Sequence, residues 1–144
     1  MQIYLACTVR GDRSAVAGLR TLVASLERSG HTVLTKHLLD DNVDGAESAL
    51  TERAVYERDI AWLETCDVLI ADGTGSSFGV GFEVGYVLGR SDRTGQRVVL
   101  LYRADRRDQI SRLIVGNAHS RCLVAAYATG AELVAAVMSV IEAR

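Results

Sequence analysis

The stretch DVLIADGTGSSFGVGFEVGYVL, residues 67–88, decides the fold. Its first part, 67–71, is a continuous apolar run after one aspartate, which predicts a buried β-strand. Residues 72–77 are rich in glycine and serine and predict a loop. Residues 78–88 are apolar with glycines between them and predict a helix. A strand, a loop and a helix in this order form the first part of a parallel β-α-β unit.

The same alternation continues on both sides of this stretch. Further strands are predicted at 3–7, 32–35, 97–102 and 122–127, and further helices at 14–29, 48–65, 107–114 and 131–143. Ser14 is the expected N-cap of the first helix, and the polar residues 40–47 predict a mobile loop. Near-continuous apolar strands joined by helices are typical of a parallel sheet covered on both faces. We therefore expect an α/β fold of the Rossmann or flavodoxin-like type, with a five-stranded parallel sheet and helices on both faces, as a single domain over residues 1–144.

The composition is that of one ordinary domain. The 144 residues are 49% hydrophobic and 24% charged, with 16 basic residues against 18 acidic ones. A net charge of -2 gives no general attraction for polyanions, so neither nucleic acid nor a membrane is expected as a partner. The apolar runs are far shorter than the ~20 residues that cross a bilayer, and the amino end lacks the layout of a signal peptide. We expect a cytoplasmic protein.

The cysteines and histidines give no sign of a metal site. Cys7, Cys66 and Cys122 are odd in number, far apart and set among apolar residues, which predicts small buried side chains rather than a disulfide framework. His31 and His119 lack the spacing of metal ligands. No metal is expected.

Residues that can hold an anion follow two of the predicted strands. Thr8, Arg10 and Gly11 follow the first strand, and Ser77 and Gly79 lie where the loop after the third strand meets its helix. Loops at the carboxyl ends of parallel strands meet at one edge of the sheet. Hydroxyl groups, free backbone N–H groups and a helix amino terminus form an anion site, and an arginine opposite them suits a phosphate. A tight turn without a ligand explains the same glycines and serines equally well.

Two carboxylates stand in helical segments with apolar neighbours. Glu83 is the one charged residue of 78–88, where it either serves chemistry or turns toward solvent, because burying an unpaired carboxylate is costly. Asp59 raises the same question, with a solvated helix face paired with Arg58 as the alternative. Two carboxylates at one pocket are the minimum for cleaving a glycosidic bond. One attacks the anomeric carbon or activates water, and the other manages protons.

Four blocks of the sequence carry a family resemblance: IYLACTVRG at 3–11, VLTKH at 33–37, ERDIAWL at 57–63 and SFGVGFEVG at 77–85. In order and spacing they resemble the 2'-deoxynucleoside 5'-phosphate N-hydrolases of the nucleoside 2-deoxyribosyltransferase superfamily. The resemblance implies hydrolysis of the bond between base and sugar in a 2'-deoxynucleoside 5'-monophosphate, through a covalent glutamyl–sugar intermediate. It implies no cofactor.

The resemblance also implies roles for individual residues. Glu83 matches the family's nucleophile, Asp59 its acid/base partner, and Tyr4 the hydroxyl that helps hold the catalytic group. The substrate contacts that it implies are Thr8, Arg10, Gly11, Ser77 and Gly79, together with Asn117 and Ser120. The last two lie in a loop that resembles the family segment reaching a neighbouring subunit's phosphate, so a homodimer is expected.

Three aromatic residues are candidates for contact with the base. His37 matches a family histidine near the nucleobase, with a capping or surface histidine as the alternative. Trp62 and Tyr86 stand at helical positions among apolar residues, which favours packing over base stacking.

Position 77 separates the two branches of the family. Transferases, which use unphosphorylated nucleosides, usually have an aspartate six residues before the nucleophile, where this chain has Ser77. A carboxylate repels phosphate, whereas serine donates a hydrogen bond to it. A nucleoside monophosphate is therefore the expected substrate. Cys7, Thr8 and Asp12 depart from residues frequent in the hydrolases, and Asp12 either weakens phosphate binding or points outward.

Three alternatives stay open at the level of the sequence. The same mechanism can act on ribonucleotides such as cytidine monophosphate. A transferase exchanges one base for another instead of using water. A non-catalytic nucleotide-binding module would use Glu83 only to orient a sugar.

Overall fold

The computed structural model describes residues 1–143. Its five strands are β1 (Gln2–Ala6), β2 (Thr32–Val33), β3 (Val68–Asp72), β4 (Arg97–Arg103) and β5 (Cys122–Tyr127). They form one sheet in the order β2-β1-β3-β4-β5, in which all neighbouring strands are parallel. This is the strand order of flavodoxin-like sheets.

Helices cover both faces of the sheet. They are α1 (Val16–Arg28), α2 (Val43–Glu47), α3 (Glu52–Thr65), α4 (Phe78–Leu88), α5 (Ser91–Thr94), α6 (Arg112–Val115) and α7 (Gly130–Glu142), with 3-10 turns at Lys36–Leu39 and Ala104–Gln109. Successive strand residues point to opposite faces. Thus Ile3 and Leu5 pack in the core under α1 and α7, while Tyr4 and Ala6 pack under α3 and α4. The predicted fold class is confirmed.

The loops after β1 and β3 leave the sheet side by side. The register pairs Tyr4 with Leu69 and Ala6 with Ala71, so the two strands end together. From β1 the chain first turns outward to β2 and then crosses back to β3. Open parallel sheets bind ligands in the crevice that forms where the strand order reverses in this way.

The second strand is shorter than the predicted 32–35. It ends at Val33, because Thr35 bonds to β1 with its side chain instead of its backbone. The Thr35 hydroxyl accepts a hydrogen bond from Leu5 N at 2.9 Å and donates one to Leu5 O at 2.7 Å. The chain then tightens into the 3-10 turn.

The segment 40–47, predicted to be a loop, contains helix α2. Val43, only 2% exposed, anchors this helix to the core under α1. Helix α3 begins at Glu52 rather than at 48, because the Thr51 hydroxyl accepts a hydrogen bond from Ala54 N and caps it.

Two other predicted helices also differ from the structure. Ser14 is not the N-cap of α1, since Ala15 holds that position and the Ser14 amide donates to Asp12 Oδ1 at 2.9 Å. The helix predicted at 107–114 is split between the second 3-10 turn and α6, because Ile110 between them is extended and buried. The helix at 78–88 and the strand at 122–127 have the predicted bounds.

The cysteines are unpaired. Cys7 and Cys66 are buried, as predicted, and Cys122 is half-buried. Among residues 1–143, no helix is long and apolar enough to span a membrane.

Candidate active site

Glu83 faces the crevice from helix α4. The helix buries Val80, Val84 and Val87 against the sheet, and Glu83 shares their face because it lies three residues after Val80 and four before Val87. Its carboxylate Oε1 accepts a hydrogen bond of 2.7 Å from the phenol of Tyr4 in β1. The solvent alternative for this glutamate is thus wrong, and the sheet supplies its partner.

The environment of Glu83 holds its carboxylate close to the point of ionisation. Burial raises the pKa of Glu83 to about 7, and the negative charge of Asp59 contributes to the rise. The hydrogen bond from Tyr4 opposes it, because it favours the charged form. Burial and the neighbouring carboxylates also raise the pKa of Tyr4, so its phenol stays protonated and donates. Near neutral pH both the neutral and the ionised form of Glu83 are accessible.

Asp59 faces the same crevice from helix α3. Its side chain is 25% exposed, and its Oδ1 accepts a 2.9 Å hydrogen bond from Arg58 Nε. Burial raises the pKa of Asp59, and the adjacent Arg58 opposes this rise. The Asp59 charge acts on both Glu83 and Tyr4, so the predicted catalytic residues form one electrostatic unit.

The loop after β1 carries Thr8, Arg10 and Gly11. Thr8 is 3% exposed, and its buried Oγ1 has no hydrogen-bond partner within residues 1–143. Gly11 has a φ of +125°, a backbone conformation that glycine adopts without strain. Arg10 lies in solvent, where its Nε donates to Asp44 of α2 at 2.7 Å.

The loop after β3 lies directly against Thr8. A Cβ built on Gly75 would be 2.1 Å from Thr8 Oγ1 and 2.8 Å from Asp12 O, so only glycine lets the two loops approach this closely. Asp72 and Thr74 are buried, and the Thr74 hydroxyl donates to Asp72 Oδ1 at 2.7 Å while accepting from Arg103 N at 3.0 Å. These contacts fix the loop at both its β3 and β4 sides.

Ser77 and Gly79 are at the amino terminus of α4. Ser77 is the N-cap residue, and its side chain forms no capping hydrogen bond in the described part of the chain. The first N–H groups of a helix lack partners within the helix. The Ser77 hydroxyl, these N–H groups and the positive end of the helix dipole therefore lie together at the start of α4, as an anion site requires.

Asp12 differs from the residue frequent at this position in the hydrolases, and its charge would oppose a phosphate. In the structure it forms an ion pair with Arg106 at 2.8 Å. Its other contact is with the amide of Ser14. These partners lower the pKa of Asp12, mainly through the Ser14 hydrogen bonds. The charge of Asp12 is thus neutralised locally by Arg106.

Comparison with known proteins identifies the family. The family model for nucleoside 2-deoxyribosyltransferase matches residues 3–134. The chain belongs to the nucleoside 2-deoxyribosyltransferase family. A protein of Thermofilum pendens, provisionally named 2'-deoxynucleoside 5'-phosphate N-hydrolase 1, is 43% identical over 127 residues, covering 88% of this chain and 85% of its own. The 5-hydroxymethyl-dUMP N-hydrolase of Danio rerio is 35% identical over 117 residues, covering 81% and 78%.

A solved structure shares the fold of this chain. It is the CMP N-glycosidase of Clostridium botulinum, with a TM-score of 0.70 at 18% identity, and the match covers 97% of this chain and 99% of that one.

The structure of this nucleoside 2-deoxyribosyltransferase family member adds residues that the sequence analysis missed. Glu47, at the end of α2, accepts hydrogen bonds from Arg58 at 2.9 and 3.3 Å, and its Oε1 lies 3.3 Å from His37 Nε2. His37 also packs against Trp62, with ring centroids 5.7 Å apart. Glu47 escaped notice because its segment was predicted to be a loop. A signal was present, since Val43 is an apolar residue that can anchor a short helix.

The remaining predicted residues lie outside the Glu83 cluster. Tyr86 donates its hydroxyl to Glu64 on the outer side of α3 and α4. Asn117 and Ser120 lie in the loop before β5, and Asn117 Oδ1 accepts from His119 N at 2.9 Å. Because Ser120 precedes a parallel strand, it is at the amino edge of the sheet, opposite to the edge with the crevice. Within residues 1–143, no group of three His, Cys, Asp or Glu side chains is arranged to hold a metal ion.

Proposed function

We propose that this protein hydrolyses the N-glycosidic bond of 2'-deoxynucleoside 5'-monophosphates to a free base and deoxyribose 5-phosphate. The observation that carries the proposal is the Tyr4–Glu83 hydrogen bond of 2.7 Å in a crevice that Asp59 also faces. Two carboxylates with different surroundings are what glycoside hydrolysis requires. The relatives named as N-hydrolases support the same reaction.

In the proposed mechanism Glu83 is the nucleophile. Its ionised carboxylate forms a bond to C1' while the bond from C1' to the base nitrogen breaks, and Asp59 gives a proton to the departing base. A water molecule then attacks C1', Asp59 takes a proton from that water, and the bond to Glu83 breaks. Two displacements at one carbon retain its configuration. Tyr4 holds the Glu83 carboxylate in place and is released from it as the ester forms.

The phosphate is proposed to bind where the two loops meet. The Ser77 hydroxyl and the free N–H groups at the start of α4 would donate to its oxygens, and Gly79 leaves the approach open. Thr8 and Gly11 form the opposite wall. Arg10 would bind the phosphate after giving up its ion pair with Asp44. Both side chains of that ion pair are largely exposed, so breaking it costs little free energy.

A panel of ribo- and deoxyribonucleoside monophosphates and nucleosides, with chromatographic detection of free base, tests the proposal. We expect base release from one or more deoxynucleoside monophosphates and not from the matching nucleosides. The Glu83→Gln variant should bind nucleotide and release no base. Release that requires an added acceptor base would instead identify a transferase, and binding without any release by the wild type would identify a binding module.

The chain is also proposed to act as a homodimer. A groove of about 480 Å³ lies between α4 and α6, and its lining is mostly apolar. Phe78 and Leu113 on its rim are 97% and 83% exposed, which is unusual for residues of this size in a monomer. In a two-fold interface each copy presents both the groove and the side chains that fill its partner's groove.

The dimer would also bring Ser120 to a phosphate site. Within one chain the sheet separates Ser120 from the crevice, so only a second copy can place this hydroxyl near Ser77. Ser77 itself lines the apolar groove, so an interface on this groove adjoins the phosphate site. Asn117 would reach the same region from its place three residues before Ser120.

We place the protein in the cytoplasm. Its three unpaired cysteines support this location, because thiols persist in reducing compartments. Cell fractionation with detection of the native chain tests it.

A further inference from the structure

Arg58 of α3 stands between two carboxylates, those of Glu47 and Asp59. Its Nε donates to Asp59 Oδ1 at 2.9 Å, and its Nη1 and Nη2 donate to the two oxygens of Glu47 at 2.9 and 3.3 Å. Nη2 also lies 2.9 Å from Asp59 Oδ1. The three side chains are only 15–25% exposed, so these contacts are not screened as surface ion pairs are.

The helix by itself does not create the contact between Arg58 and Asp59. Adjacent residues of an α-helix point about 100° apart and do not face each other. Arg58 is turned toward Asp59 because other groups hold it. Glu47 of α2 binds two of its nitrogens, and its guanidinium lies 5.0 Å from the ring centre of Trp62, one turn further along α3.

The contact distinguishes the two oxygens of Asp59. Oδ1 faces two nitrogens of Arg58, both of which carry N–H groups at all relevant pH values. A proton on Oδ1 would oppose these donors, so the proton that Asp59 exchanges belongs on Oδ2. Arg58 also stands between the charges of Glu47 and Asp59, which would otherwise repel each other.

We propose that Arg58, anchored by Glu47 and stacked on Trp62, is a positioning residue that fixes the Asp59 carboxylate and leaves its Oδ2 alone to exchange a proton with the leaving base. The proposal rests on the proposed function of Asp59 as acid/base. It extends the site to Arg58 and Glu47, neither of which touches the reacting atoms.

The charges around Asp59 allow a sharp test. It is faced by Arg58 on its own helix, by Glu47 on α2, by His37 on the 3-10 turn, by Glu83 on α4 and by Tyr4 on β1. Arg58 and His37 lower the pKa of Asp59, and Glu47 raises it. Arg58→Gln should therefore raise the pKa of Asp59, and Glu47→Gln should lower it, although both variants loosen the same cluster.

The measurement is the carboxyl 13C chemical shift of Asp59 as a function of pH, combined with the pH profile of kcat. In Arg58→Gln we expect the titration of Asp59 to move upward by roughly one pH unit, and kcat to fall roughly ten- to a hundredfold with little change in KM. In Glu47→Gln the titration should move downward. In the wild type, one limb of the pH profile of kcat should have the same midpoint as the Asp59 titration. In each variant this midpoint should shift in the same direction as the titration.

Arg58→Lys separates charge from geometry. Lysine keeps the positive charge but lacks the planar fork that spans both carboxylates. The titration of Asp59 should stay near its wild-type position while kcat remains reduced. Arg53→Gln is the matched control, because Arg53 forms an exposed ion pair with Glu57 on the same helix. It should leave both kcat and the Asp59 titration unchanged.

Several outcomes would overturn the proposal. They are a near-normal kcat in Arg58→Gln, an unmoved Asp59 titration in that variant, or titration shifts of the same direction in Arg58→Gln and Glu47→Gln. If Arg58→Gln does not fold, Arg58→Lys and Glu47→Gln decide the same question. If the wild type releases no base from any nucleotide, the proposed function fails, while the titrations still report whether Arg58 controls Asp59.

Discussion

At the scale of single residues, Glu83 meets two requirements that oppose each other. A nucleophile must be ionised, yet the apolar face of α4 that positions Glu83 also raises its pKa to about 7. The Tyr4 hydroxyl reduces this conflict by donating to the carboxylate. Activity that depends on ionised Glu83 should therefore rise with pH as the pH passes through about 7.

The same shift makes stability depend on pH. Because the pKa of Glu83 is higher in the folded chain than the ordinary value of 4.5, the folded state holds this proton more tightly than the unfolded state. The stability gained from this tighter proton binding is present in full below about pH 4.5 and is lost as the pH rises through about 7. The glutamine of Glu83→Gln stays neutral, so at pH 8 we expect this variant to have a larger free energy of unfolding than the wild type, by at most on the order of 3 kcal/mol. It should therefore also unfold at a higher temperature.

Thermal unfolding at pH 5 and pH 8 measures this effect. At pH 5 the difference between Glu83→Gln and the wild type should be much smaller than at pH 8. Glu142→Gln, at the exposed end of α7, provides the control and should show no such pH-dependent gain. An equal gain for Glu83→Gln at both pH values would mean that the charge of Glu83 is not the cause.

At the scale of elements, α2 decides where Arg10 points. The Arg10–Asp44 ion pair joins the loop after β1 to this short helix. Arg10→Ala should reduce the preference for monophosphate over nucleoside roughly ten- to a hundredfold, because it removes a charge-assisted contact to the phosphate. Asp44→Asn should release Arg10 and lower KM for the monophosphate up to about fivefold, the value of one exposed ion pair.

Steady-state kinetics with a monophosphate and its nucleoside measures both effects. Arg53→Ala removes another exposed arginine from an ion pair and should leave both substrates unaffected. If Arg10→Ala slowed both substrates equally, Arg10 would be acting on the fold rather than on the phosphate.

The contact between the two loops gives a second test at this scale. In Gly75→Ala the new methyl group would meet Thr8 Oγ1 and Asp12 O, so the loops must separate. We expect a loss of about 1–3 kcal/mol in the free energy of unfolding, with weaker monophosphate binding. Gly85→Ala is the counterpart, because a Cβ there meets nothing within 4 Å and alanine favours the helix by ~0.5–1 kcal/mol. Denaturant unfolding should give opposite signs for the two variants.

At the scale of the whole molecule, the proposed dimer can be tested by mixing inactive variants. Ser120→Arg should block the partner's phosphate site, and Glu83→Gln should disable the site of its own chain. A mixed dimer would collect both defects in one site and leave the other intact. Co-refolding the two variants should restore up to about half of the wild-type activity per dimer, measured as base release.

The corresponding control mixes each variant with itself and should show no recovery. Heterodimers that form but stay inactive would remove Ser120 from the partner's site. A fully active monomer at assay concentration, shown by sedimentation, would remove the dimer from the mechanism. Phe78→Ser, which takes an exposed aromatic ring from the rim of the groove, should weaken association without touching Glu83.

Particular residues show how much of the structure could be predicted from the sequence. The apolar run 78–88 predicted the helix that carries Glu83 but left open whether this carboxylate faces solvent, and the structure shows it bonded to Tyr4, the partner that the family resemblance implied. The same reasoning missed Glu47, because a five-residue helix has too few turns to show a period. It also placed the first N-cap at Ser14, where the competing Asp12 side chain holds the backbone in a turn.

The sequence by itself determined most of the elements, their order and the edge of the sheet at which the candidate site lies, because apolar periodicity is a local property and parallel connections allow few topologies. Only the tertiary structure decided which charges meet. Arg58 binds Glu47 in addition to its neighbour Asp59, and Arg10 turns to Asp44. Such pairings depend on which charged groups are buried together in the folded chain. Residues far apart in sequence share no local pattern that would predict the pairing.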